Sequence, residues 1–290
     1  MKKILVIVLG LLLVAGILFA QPWIYDFGTE IKSYSTTEHS NYNFLPDPQA
    51  GYDIVKIGYS GSINLENPGL SDFGSGSELR IVASHLGKCN KASIYNYPNS
   101  KLFYIRFNLL LGDSLGGNTA NSGTCYFVVG TNNNSSFTGD SSYKRDYDFT
   151  ILSFTFGESG SIITQYLYGG STDRGTLIGN PISQGTNYLV EVWGNNTNYQ
   201  KTYYKNGTSN TLLQNYMHLW INGEIYNLPK ANIANDAYIN SFLFCVERSN
   251  NNVANCFVDN IVYSNELYSS PSTQASFFSN QTVTSNSCDL

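Results

Sequence analysis

Charge is scarce in this chain: Asp, Glu, Lys and Arg make up only 13% of its 290 residues. The 16 basic residues are scattered, and the net charge is −5. Binding to a phosphate backbone needs clustered Lys and Arg, so composition excludes a nucleic-acid partner. With 3 His and 2 Met, there is little material for a histidine metal centre or a Met-rich groove. The 5 cysteines include no C-x-x-C pair and match no zinc spacing. There is no H-E-x-x-H helix and no Walker loop. No Glu-x-Asp-x-x-Glu run supplies the closely spaced carboxylates that a retaining glycosidase carries on one strand. No internal repeat is visible, and helical periodicity is almost wholly missing after the first twenty residues.

What is abundant points to strands. The chain has 22 Tyr, 16 Phe and 26 Gly. Aromatic and β-branched residues suit a pleated, half-buried surface, and Gly and Asn suit the turns between strands. Short alternating segments recur along the chain, most clearly at residues 102–111 and 149–156. In the second of these, Leu152, Phe154 and Phe156 share one face, while Ser153 and Thr155 point to the other. Asn222-Gly223 between Trp220-Ile221 and Glu224-Ile225 predicts a type I′ hairpin, and Lys205-Asn206-Gly207-Thr208 repeats the signal in a more polar setting. Residues 231–237 hint at a short helical turn. Many short strands joined by Gly- and Asn-rich loops predict an all-β, antiparallel two-sheet sandwich filling residues 21–268.

The two ends read differently. Met1-Lys2-Lys3 precedes an apolar run from Ile4 to Ala20, the pattern of a signal peptide over residues 1–20. The run of about 17 residues is near the lower bound for a membrane span, so an uncleaved anchor is the alternative. Residues 269–290 are rich in Ser, Thr, Asn and Gln and read as a flexible polar tail. Export places the cysteines in an oxidising compartment. Two pairings suggest themselves: Cys245 with Cys256 across a hairpin, and Cys89 with Cys125, leaving Cys288 over. Buried free thiols are the other reading.

The segments Ile24-Tyr25-Asp26-Phe27-Gly28 and Cys256-Phe257-Val258-Asp259-Asn260-Ile261-Val262-Tyr263 together resemble the first and last strands of concanavalin-like, carbohydrate-binding jelly rolls. The resemblance implies that these strands lie side by side. It also implies a structural calcium ion, with Asp26 and Asp259 as carboxylate ligands and backbone carbonyls completing the oxygen shell. Asn260 stands where that pattern has a second acidic residue. A wider likeness is to secreted proteins of Bacteroidetes-type bacteria, a family without a settled activity. It rests on Phe44-Leu45-Pro46-Asp47-Pro48, Asn67-Pro68-Gly69, Ser77-Glu78-Leu79-Arg80, Leu219-Trp220-Ile221-Asn222-Gly223 and Val258 to Asn265. It implies the jelly-roll fold and says little about chemistry.

Three sets of residues invite a functional reading. Sugars present apolar C–H faces and hydroxyl rims, which Trp or Tyr and amide side chains match. Trp193, Asn195, Asn196, Tyr199 and Tyr203 crowd together in sequence, with Tyr204 beside them. Tyr166 and Tyr168 alternate on one strand. These predict a glycan-binding face, although Trp and Tyr in an all-β chain also serve the core. Catalytic carboxylates are the second set: Glu191 and Glu247 each stand alone on a strand, Glu247 with Arg248 as a local ion pair, and Asp146 and Asp148 flank a charged turn. His85 and His218 lack partner motifs. The calcium pair is the third. The reading that follows is a secreted or cell-surface, non-catalytic glycan-binding module with a polysaccharide or glycan partner and no membrane contact after leader removal. A structural or adhesive envelope protein is the alternative, and a polysaccharide hydrolase or lyase of the same fold the second.

Overall fold

The computed structural model describes residues 23–268 except 47, 49–50, 68, 70, 72, 86, 113–118, 134, 139–146, 170–172 and 251–252. The predicted leader, the tail, Cys288 and Asp146 lie outside the described residues. In chain order the strands are β1 (Trp23–Tyr25), β2 (Lys32–Tyr34), β3 (Ser40–Asn41), β4 (Tyr52–Lys56), β5 (Ser62–Glu66), β6 (Glu78–Val82), β7 (Cys89–Ser100), β8 (Leu102–Leu111) and β9 (Thr124–Gly130). A one-turn helix, α1 (Ser135–Thr138), precedes β10 (Asp148–Phe156), β11 (Ile162–Leu167), β12 (Arg174–Thr176), β13 (Asn187–Asn195), β14 (Lys201–Lys205) and β15 (Thr208–Leu212). The chain ends in β16 (Tyr216–Ile221), β17 (Glu224–Pro229), β18 (Ile239–Glu247) and β19 (Asn255–Ser264).

These strands build the antiparallel two-sheet sandwich that the alternation predicts, of the jelly-roll type that the resemblance implies. A 9-stranded sheet runs β17-β16-β13-β8-β19-β6-β5-β2, with β1 also against β19, and an 8-stranded sheet runs β12-β11-β10-β9-β18-β7-β4-β3. Inward residues of the two sheets meet in one core. There Phe107 of β8 lies 4.7 Å from Phe127 of β9 and 5.0 Å from Phe244 of β18, ring centre to ring centre. Each such buried ring contributes about 1.5–3 kcal/mol of hydrophobic stabilisation.

The two ends of the domain are neighbours. Strand β1 pairs with β19 in the register Trp23↔Tyr263, Ile24↔Val262 and Tyr25↔Ile261. Just before this stretch β19 is bulged, its pairing with β8 shifting between Asp259 and Val262. Asn260 sits in the bulge at φ +53°, a left-handed conformation that Asn tolerates better than most side chains.

Four features depart from the sequence reading. The 12-residue strand β7 was not predicted, nor were the short strands β2, β3, β5 and β12. Asn96, at φ +61°, and Pro98 interrupt the alternation of β7 where the pairing with β18 slips between Ile239 and Ser241. Residues 231–237 form turns rather than a helical turn, and α1 arises at Ser135–Thr138 instead. The cysteine pairings are also corrected: Cys89 of β7 is bonded to Cys245 of β18. Strand β18 lies between β7 and β9, whereas Cys256 belongs to the opposite sheet, so no hairpin joins Cys245 to Cys256. Cys125 and Cys256 remain as buried thiols.

Candidate functional site

The aromatic face predicted around residue 193 is corrected by burial. Trp193 points outward from the 9-stranded sheet, but the separate β14–β15 hairpin folds over it. Its ring stacks on Tyr203 at 4.0 Å and 16°, and both residues are buried. Tyr203 in turn bonds His218 Nδ1 at 2.8 Å and accepts the Trp220 indole N–H at 2.9 Å. Burial lowers the His218 pKa to about 4, so the imidazole is neutral at pH 7. Beneath the same hairpin Glu191 pairs with Lys205 and accepts the Tyr104 hydroxyl at 3.0 Å. Glu191 is therefore not the lone carboxylate that its strand suggests. Glu247 makes the expected contact with Arg248, at 3.3 Å. Of the predicted sugar contacts, Tyr199 is exposed at 71%. Tyr166 and Tyr168 do share a face, 5.7 Å apart. They stand beside β12 at an edge of the other sheet, so they do not join Trp193.

Asn195 and Asn196 are buried as well, each as a brace. Asn195 Nδ2 donates to the carbonyls of Tyr199 and Leu212 at 2.8 and 3.2 Å. Asn196 Nδ2 donates to the carbonyls of Ala234 and Ala237 at 3.0 and 2.9 Å. The Asn196 backbone carbonyl accepts Asp236 N–H, and its Oδ1 accepts Lys230 Nζ at 3.2 Å. The other end of the same loop is tied to β10, where Asp148 O accepts the N–H groups of Asn232 and Ile233. Asn196 thus fixes the loop between β17 and β18.

That loop is one wall of a cleft of about 490 Å³ at one end of the 8-stranded sheet. The bulge of β7 supplies Asn96 and Asn99, the turn after β9 supplies Asn132 and Asn133, and β18 supplies Asn240. Tyr147 and Tyr238, 58% and 55% exposed, stand at its sides. The amides hold one another: Asn132 Nδ2 donates to Asn96 Oδ1 at 3.1 Å, and Asn240 Nδ2 donates to Asn99 Oδ1 at 2.9 Å. Asn240 Oδ1 accepts Asn132 N–H at 2.8 Å and the Ser241 hydroxyl at 3.0 Å. Each amide has more donor and acceptor capacity than these bonds use. Lys101, paired with Asp236 at 2.7 Å, lies over the Tyr238 ring at 5.2 Å and steadies it. Among the described lining residues there is no carboxylate, imidazole, ammonium or guanidinium group. Such a surface can stack on and hydrogen-bond a neutral polyol, and among its described lining residues the two tyrosine hydroxyls are the titratable groups. The one-dimensional signal for it was the Asn-rich character of the loop after β9. Nothing in the sequence shows that this loop meets residues 96–99 and 231–238.

The acidic pair sits elsewhere, where β1 leaves β19. Asp26 is exposed and accepts Gly28 N–H at 3.1 Å. Asp259 is 4% exposed, and its Oδ1 has no hydrogen-bond partner. Its other oxygen accepts Asn260 Nδ2 at 3.1 Å. Burial pushes the Asp259 carboxyl up to about 7; the backbone hydrogen bond at Asn260 opposes this, and the charges of Asp26 and Glu78 add to it. Glu78 is buried nearby with Ser71 N–H bonded to its carboxylate at 3.2 Å. Gly69 makes room for it, because a β-carbon there would stand 2.3 Å from Glu78 Cδ. An orphaned buried carboxylate oxygen beside further carboxylates suits a hard cation. Among the described residues, however, no three His, Cys, Asp or Glu side chains converge as a ligand group. Backbone carbonyls would have to complete any oxygen shell.

No protein-family model and no curated protein matches the chain. Solved structures do share its outline. An alginate lyase from Aplysia kurodai matches with a TM-score of 0.48 at 10% identity, over 84% of this chain and 99% of the lyase. The globular domain of T. cruzi calreticulin matches with a TM-score of 0.46 at 8% identity, over 84% of this chain and 88% of that domain. The carbohydrate recognition domain of Emp46p matches with a TM-score of 0.40 at 10% identity, over 65% of this chain and 83% of that domain. These likenesses concern the sandwich outline, and no ligand or activity passes from them to this chain.

Proposed function

We propose that the protein is a secreted or cell-surface glycan-binding module without catalytic activity, and that its ligand lies in the Asn/Tyr cleft. The observation that carries the reading is the pairing of five asparagines with two exposed tyrosine rings in a cleft whose described lining has no carboxylate or imidazole. The rings offer faces for sugar C–H groups, and the interlocked amides present donors and acceptors fixed in advance. Export is supported by the leader pattern and by the Cys89–Cys245 bond, which persists in an oxidising compartment. No helix among the described residues is long and apolar enough to cross a membrane. A calcium ion at Asp26 and Asp259 belongs to the same proposal as a structural rather than a ligand-binding element. It is supported by the partnerless Asp259 Oδ1 and by the close pairing of β1 with β19.

The test is a glycan-array screen of residues 21–268 followed by titration calorimetry on the hits. Binding is expected to fall at least about tenfold in the Tyr147→Ala, Tyr238→Ala double variant, a loss of about 1.4 kcal/mol or more, with the melting temperature unchanged. Binding that survives this double variant removes the cleft from the proposal, and an array without hits removes the glycan.

A further inference from the structure

We propose that Cys125 and Cys256 join in a second disulfide, one that ties the two sheets of the sandwich together. Cys125 is an inward residue of β9 in the 8-stranded sheet, and Cys256 is an inward residue of β19 in the 9-stranded sheet. Neither exposes any surface, and the two thiols interact across the core. The backbones approach closely on either side of the pair. Gly123 and Ala254 lie two residues before Cys125 and Cys256, just ahead of β9 and β19. A β-carbon on Gly123 would stand 2.8 Å from the Ala254 β-carbon. The backbones just ahead of the two thiols are therefore close enough to touch. Glycine at 123 is what permits the approach. Cys89–Cys245 links neighbouring strands within one sheet, so it leaves the two layers free to part. A Cys125–Cys256 bond would close that route.

The chemistry is ordinary thiol–disulfide exchange. One thiolate attacks the S–S bond of a small disulfide such as oxidised glutathione, releasing one thiol and leaving a mixed disulfide. The second thiolate displaces the other half. The pair loses two electrons and two protons, and the oxidant becomes two thiols. Both sulfurs are sealed in the folded core, so the exchange belongs to folding, before the layers close. Burial then pushes the Cys125 thiol well up, which keeps any unreacted pair inert.

The experiment refolds the reduced full chain with oxidised and reduced glutathione, then unfolds it in denaturant with an alkylating reagent and no reductant. Non-reducing digestion and mass spectrometry are expected to recover the Cys125 and Cys256 peptides linked and unalkylated, alongside the Cys89–Cys245 peptide. Cys125→Ala, Cys256→Ala and the double variant are then melted. With the bond present, each single variant is expected to melt roughly 5–10 °C lower, and the double variant no lower still. Alkylated Cys125 and Cys256 in the refolded chain overturn the proposal. So do single-variant losses that simply add, because that is the behaviour of two packed thiols.

Discussion

Asp259 is where a single side chain decides most about this molecule. Its carboxyl is raised to about 7, chiefly by burial. A carboxyl raised on folding binds its proton more tightly in the native state. Its contribution is therefore complete below the ordinary carboxylate range and is lost as pH climbs through about 7. His218 has the opposite sign. Its pKa falls to about 4 by burial, so stability present above the ordinary imidazole range is lost as pH drops toward about 4. The two effects offset each other in mildly acidic solution, and the metal-free protein is expected to melt at nearly constant temperature there. Asp259→Asn removes one of them. In chelator at pH 8 this variant is expected to gain up to about 2–4 kcal/mol over the parent, and on acidification it should show the uncovered His218 slope. Calcium reverses the first result: it should raise the melting temperature of the parent and leave Asp259→Asn unmoved. Thermal melts across pH, with and without chelator, check both. A parent indifferent to calcium removes the metal and leaves the cleft untouched.

At the scale of elements, the β14–β15 hairpin and the loop between β17 and β18 are positioned by residues that looked like ligand contacts. The hairpin is held by the Trp193–Tyr203 stack and by the buried Lys205–Glu191 pair. Lys205→Met strands the Glu191 charge and is expected to cost about 3–5 kcal/mol in urea unfolding, whereas pairing it with Glu191→Gln should recover much of that loss. The loop depends on Asn196. Asn196→Ala removes two bonds to carbonyls and the one from Lys230 Nζ, so stability should drop about 1–3 kcal/mol. Glycan affinity should fall too, although Asn196 does not line the cleft. Calorimetry beside urea unfolding separates the two effects. This is also why the site was only partly legible. Asn beside Trp reads the same whether the amide faces a sugar or ties down a distant loop, because burial is not encoded in neighbouring residues. The cleft draws on β7, the turn after β9 and the loop before β18, and only the tertiary fold brings these together.

For the whole molecule, the legible parts are the strands whose sequence sends alternate apolar residues into the main core. Leu102–Leu111 and the stretch through Phe156 reveal themselves because alternate residues enter the core. β7 hid because polar residues stand on both of its faces, Asn90 with Ala92 and Ile94 on one and Lys91 with Ser93 on the other, all of them buried. The meeting of the two ends was legible only through family likeness, and it carries its own consequence. Strand β1 is short, yet Trp23, Tyr25 and Phe27 are almost fully buried. Trp23 packs 5.4 Å from Tyr263 and 6.2 Å from Phe242. The start of the domain therefore links its last strand to the opposite sheet. Three aromatic side chains at about 1.5–3 kcal/mol each amount to roughly 5–9 kcal/mol. That is comparable to the roughly 5–15 kcal/mol that holds a typical domain folded. A chain begun at Gln21, where leader cleavage after Ala20 would leave it, should melt as one cooperative unit. A chain begun at Gly28 should lose that transition or fail to reach a folded state. Adding a peptide of residues 21–27 in trans should restore part of the melt, since the groove beside β19 is then the one element missing. Circular dichroism melts of the two chains decide it, and equal stability would mean that the pairing of the first and last strands does not hold the sandwich closed.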